Sequence, residues 1–91
     1  MKLESDEKGD FVLDPAMLGE RLSISEAELR DRMRRGEITS VVEAGEGEDA
    51  GRRRLSVRCD DTVWRAVIDA ERNVLSEETF DLRFRRWRAP R

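Results

Sequence analysis

Catalysis needs groups that can hold a proton, a metal or a transient bond, and this chain has few of them. Its 91 residues contain no histidine, no tyrosine and one cysteine, Cys59. A histidine general base, a tyrosine acid, a Cys/His zinc site and an internal disulfide are excluded on that count. Cys59 closes the alternating run Leu55, Val57, Cys59, where a thiol packs as a small hydrophobe and burial raises its pKa. Acids number 21, yet no Asp/Glu pair lies in an apolar setting that would lift one carboxyl for acid–base work. The stretch from Gly45 to Gly51 is glycine-rich but lacks the Lys and Ser/Thr of a phosphate loop, and Glu46, Glu48 and Asp49 would repel phosphate. Those acids also miss the spacing of an EF-hand. The expectation is a solvent-facing hairpin loop, no enzyme and no cofactor.

Binding chemistry is better represented. Sixteen of the 18 basic residues are arginine, the side chain that grips carboxylate and phosphate through two parallel hydrogen bonds. Arg30, Arg34, Arg52, Arg53 and Arg54 are the candidates for nucleic-acid contact. The net charge of −3 conceals a division: residues 1–51 hold 14 acids and 7 bases, and residues 52–91 hold 7 acids and 11 bases. Five arginines, with Phe84 and Trp87, fall in the last ten residues. A tail of that kind suits an acidic protein, RNA or an anionic surface. Phe84, Arg85, Arg86, Trp87 and Arg88, together with Val63 and Val67, are therefore the candidate partner-binding residues. An overall acidic balance ranks a protein partner or a second copy of the chain ahead of nucleic acid.

These groups are carried by elements that the pattern specifies. Phe11-Val12-Leu13 reads as a short strand. Asp14-Pro15 is a helix start, with Asp as cap and Pro in the first helical position, and the helix runs to about Leu22, with Met17, Leu18 and Leu22 as its buried stripe and Gly19 as a weak point. Ser25-Glu26-Ala27-Glu28 is a capping box flanked by Ile24 and Leu29. The second helix follows, with Leu29 and Met33 facing the core, Glu26/Arg30, Glu28/Arg32 and Asp31/Arg35 as i,i+4 pairs, and Gly36 as a left-handed stop. After Gly36 the apolar period changes to two, and Ile38 to Glu43, Arg53 to Cys59, Thr62 to Asp69 and Val74 to Leu82 read as strands of a β-meander. Asp60-Asp61 and Glu71-Arg72-Asn73 are the turns. The fold class is α+β, in the order β-α-α-β-β-β-β, with a helical pair packed on an antiparallel sheet. Leu55, Val57, Trp64, Ala66 and Ile68 share one face, while Val63 and Val67 point to the other.

In domain terms, residues 1–10 are expected to be a flexible acidic leader, 11–82 a single domain and 83–91 an arginine-rich tail. No apolar run approaches the about 20 residues needed to cross a bilayer, and the polar start together with a lone cysteine points to the cytoplasm.

Two resemblances accompany this reading. The turn Leu22-Ser23-Ile24-Ser25, the helix from Ala27 to Arg35 with its Gly36 stop, the descent Glu37-Ile38 and the return strand Arg52-Arg53-Arg54-Leu55 resemble the winged helix-turn-helix of excisionase-type and MerR-type domains. That resemblance implies a second helix in the major groove, with Glu26, Ala27, Arg30, Asp31 and Arg34 towards DNA and Arg52 to Arg54 on phosphates. The phrase from Glu43 to Arg52, following Arg34-Arg35-Gly36, is also similar to a family of short bacterial proteins classed only as a domain of unknown function, which implies no activity.

Overall fold

The computed structural model describes residues 1–83. The chain begins with a two-stranded antiparallel hairpin, β1 (Glu4–Ser5) and β2 (Phe11–Val12), followed by two short helices, α1 (Pro15–Leu22) and α2 (Glu26–Arg34). A four-stranded antiparallel meander completes it, β3 (Ile38–Ala44), β4 (Arg53–Cys59), β5 (Thr62–Ile68) and β6 (Val74–Asp81), paired in chain order. The α+β class and the order of helices before meander are as read from the sequence, except that the first strand is a hairpin.

Local chemistry accounts for the helices. The Asp14 carboxylate accepts from the Ala16 N–H at 3.0 Å, and Ser25 Oγ accepts from the Glu28 N–H at 3.1 Å. Each supplies an acceptor to a first-turn amide that has none within the helix. The Glu28 carboxylate turns to Arg32 instead of completing the capping box, with Oε2 3.4 Å from Nε. All three i,i+4 ion pairs form, and Gly36 takes φ +72° where α2 stops. Gly19 is a requirement and not a weakness: a Cβ there would lie 2.9 Å from the Ile24 carbonyl oxygen, so its absence lets α1 and α2 meet across the short connection Ser23-Ile24-Ser25.

The helices and the hairpin cover one face of the meander. Leu18, Leu22 and Leu29 pack there on Leu55, Val57, Cys59, Trp64, Ala66 and Ile68. Trp64, Leu29 and Ile68 are fully buried, and each aliphatic side chain so placed contributes about 2 kcal/mol. Met33, expected among them, is half exposed; the core stripe of α2 narrows to Leu29 at its first turns.

Residues 1–10 depart furthest from expectation. Instead of a loose leader they supply Leu3 to the core, 4% exposed. The Leu3 N–H donates to the Arg72 carbonyl at 2.8 Å and the Val74 N–H to the Met1 carbonyl at 2.7 Å, laying the N-terminus against the start of β6. One apolar residue with a strand edge to join is enough to order a segment that composition marks as polar.

Candidate functional site

The two sets of arginines singled out from the sequence are held by partners within the chain. Arg30 lies 3.0 Å from Glu26, Arg34 2.9 Å from Asp31, Arg54 3.0 Å from Glu43 and Arg52 3.5 Å from Asp49. Arg53 stands over the Phe11 ring, 5.8 Å from its centre. Arg34 and Arg35 together hold the Asp31 carboxyl below its ordinary pKa, Arg34 by a hydrogen bond and Arg35 by its charge. The sets are also not brought together. Arg30 and Arg34 belong to α2 on the helical side of the sheet, whereas Arg54, on a strand position alternate to Leu55, points to the opposite face. That face carries an open groove of ≈ 640 Å³ beside the acidic loop, lined in part by Glu43, Asp49, Arg52, Arg54, Val67 and Leu75. Two of its arginines are already matched, as Arg54–Glu43 and Arg52–Asp49, and the third, Arg53, is the one over the Phe11 ring.

The partner-binding candidates separate similarly. Val63 is 6% exposed with Phe80 as its cross-strand neighbour, so it offers little to a visitor, and Val67 is half-buried. Phe84, Arg85, Arg86, Trp87 and Arg88 lie outside the described residues.

Two polar clusters brace the scaffold. Glu77 Oε1 accepts from the Trp64 indole N–H at 2.9 Å and from Arg21 Nε at 2.5 Å, joining α1, β5 and β6. The Arg21 and Trp64 hydrogen bonds hold the Glu77 carboxyl below its usual value. Arg32 reaches from α2 to Asp60 at the β4–β5 turn, 2.6 Å away. Beside it the Cys59 thiol is pushed up by burial, so the one cysteine is a packing group in its protonated form. Among the described residues no group of three or more His, Cys, Asp or Glu is placed to hold a metal ion, and no helix is long and apolar enough to cross a membrane.

The feature that stands apart is the edge strand β3. Beyond the Ala44↔Arg53 pair, the Gly45 N–H donates to the Arg52 carbonyl at 2.8 Å. Hydrogen-bonded and open pairs alternate along an antiparallel ladder. Thr39, Val41 and Glu43 therefore direct their amides and carbonyls to β4, while Ile38, Ser40, Val42 and Ala44 direct theirs away from it. Among the described residues no strand pairs with that side. Val41 and Val42 are 56% and 49% exposed, one on each face. Val42 points to the helical side, so the helical layer stops short of β3. Sequence reading placed this strand but not its role. The signal was present in Ile38-Thr-Ser-Val-Val-Glu-Ala44, seven residues with no proline, no lysine and one acid.

A family model matches residues 1–88, nearly the whole of this fold. The chain belongs to DUF6522, a family of unknown function. No curated protein and no solved structure matches it. For the DUF6522 chain, then, the geometry of its own residues is what bears on function, and the open edge is where that geometry has work left to do.

Proposed function

We propose that this DUF6522 domain is a small non-catalytic protein-binding module that self-associates through the open edge of its sheet. The observation carrying the reading is the contrast between the two edges. At β6 the N-terminal segment covers the start of the strand, a bulge interrupts the register opposite Val67/Ile68, and Glu77-Glu78 place charge in the middle. These are the devices by which proteins keep sheet edges from pairing. At β3, among the described residues, no segment covers the strand and no bulge interrupts it, its one acid, Glu43, lies next to the end, and seven residues of high β propensity present their backbone outward. Arg30 and Arg34 on α2 and Arg54 on the opposite face of the sheet form no single basic patch, which supports this reading over a nucleic-acid one.

Sedimentation velocity on the full chain, from micromolar to several hundred micromolar, tests the proposal, this being the range in which small interfaces operate. The expected result is a weight-average mass that rises with concentration. Ser40→Pro should abolish the rise while leaving the fold intact, since the Ser40 N–H serves no β4 bond and proline is tolerated on the outer side of an edge. A chain that remains monomeric throughout, with the Ser40 and Val42 amides unprotected from exchange at every concentration, overturns it.

A further inference from the structure

The direction of the backbone groups on β3 goes further than the existence of an open edge: it specifies a partner and a register. We propose that β3 pairs antiparallel with β3 of a second copy of this chain about a two-fold axis through Val41, extending two four-stranded sheets into one of eight strands. This rests on the self-association reading above and deepens it.

Four residues of each β3 turn their backbone groups outward. Ile38, Ser40, Val42 and Ala44 each carry one N–H and one C=O towards the edge. With the axis at Val41, Ile38 stands opposite the partner's Ala44 and Ser40 opposite the partner's Val42, with the reverse pairs on the other side of the axis. Each such pair exchanges two hydrogen bonds, so every outward group on both strands finds an acceptor or donor. Sliding the strands by two residues loses one of the four pairs. Sliding by one sets outward groups against inward ones and turns each apolar side chain to the wrong face.

Side chains agree with the backbone. Val41 meets the partner's Val41 in the open type of pair, where Cα atoms approach to about 4.5 Å and side chains touch. Glu43 falls opposite the partner's Thr39, so the strand's one charge faces no like charge. On the helical side Val42, half exposed, is free to be covered, because α1 packs over β5, two strands in from the edge. Past Ala44 the register places Gly45 opposite the partner's Glu37. The acids Glu46, Glu48 and Asp49 then run towards the segment 30–37 of the partner subunit, which carries four arginines against two acids. Arg34 and Arg35 within it keep 72% and 56% of their side-chain surface exposed. The same register applied to β6 would be opposed by the bulge and by Glu77 and Glu78.

Disulfide trapping distinguishes this register from any other. Val41→Cys places two thiols in a pair whose Cα spacing suits a disulfide, and oxidised glutathione should convert the chain to a covalent dimer on a non-reducing gel. Thr39→Cys, exposed on the same face, would put its two thiols about 13 Å apart, four residues of strand, and should stay monomeric. Wild type serves as the background for Cys59, which is buried. Adding Ser40→Pro to Val41→Cys should suppress the cross-link, and raising salt should move the association midpoint to several-fold higher concentration through screening of the loop–arginine contact. Self-association with Thr39→Cys linking as readily as Val41→Cys overturns the register and leaves the edge reading standing. Failure of Val41→Cys to link, in a chain that sediments as a monomer at every concentration, overturns both.

Discussion

Replacing Glu77 by alanine removes the acceptor of a tryptophan indole N–H whose residue is fully buried, and releases the Arg21 guanidinium that holds that acceptor in place. A hydrogen bond to a charged group contributes about 1.5–3 kcal/mol, and a buried donor left without a partner keeps its desolvation cost. The ion pair adds little beyond this, because both side chains retain about 30% of their exposure. The expected loss is about 2 kcal/mol, or roughly 10 °C in Tm for a domain of this size. Urea unfolding followed by circular dichroism measures it. Glu77→Gln retains a carbonyl acceptor for Trp64 and should lose about half as much. Acidity separates the two contributions. The folded carboxyl is held below its ordinary value, so its charge-dependent stabilisation is complete above that value, about 4.3, and disappears as pH falls through the folded pKa. The difference between wild type and Glu77→Gln should accordingly be largest near neutrality and shrink in acid. A Glu77→Ala variant within about 0.5 kcal/mol of wild type at neutral pH would refute the bracing role, because no desolvated donor could then have been left behind.

Three further substitutions probe the scaffold. Ser25→Ala should cost about 1 kcal/mol by removing the α2 cap, read as a shift in the urea midpoint. Gly19→Ala should destabilise by about 1–2 kcal/mol in thermal unfolding, despite alanine's better helix propensity, because the new Cβ meets a backbone oxygen that cannot swing aside. Leu3→Ala should cost about 2–3 kcal/mol by the same assay, a loss that a residue in a solvated leader would not produce.

What could be read from the sequence was whatever is local. Asp14-Pro15 and Ser25 announce helix starts because a cap lies within three residues of the amide it serves, and the alternation of Leu55, Val57, Cys59 with Trp64, Ala66, Ile68 announces two paired strands sharing a face. Distant partners are invisible to such patterns. Leu3 has only the exposed Met1 beside it at strand spacing, too little to mark a buried strand, and its burial is decided by Arg72 and Val74, about seventy positions later. Gly19 carries its meaning only once the Ile24 carbonyl lies against it. Candidate arginines could be named from their spacing, but that Arg30 and Arg54 serve opposite sides of the sheet depends on how α2 folds over β4. Even β3, correctly bounded to within a residue, disclosed nothing of its edge position until the order of strands was known.

The seam between Met1–Leu3 and the start of β6 bears on the order in which the molecule assembles. Each meander hairpin closes between neighbours in sequence, on a timescale of microseconds. Joining Met1 to Val74 instead closes a loop of about seventy residues, an entropic cost of about 4 kcal/mol beyond the constant term. Little can offset that cost before the sheet exists to receive Leu3, so the N-terminal segment docks late, and as a chain end held by Leu3 and two backbone hydrogen bonds it is among the first pieces to open. Each opening bares the backbone at the start of β6 and the floor of the core together. For a moment the guarded edge of the sheet loses one of its guards, while the bulge and the paired glutamates remain.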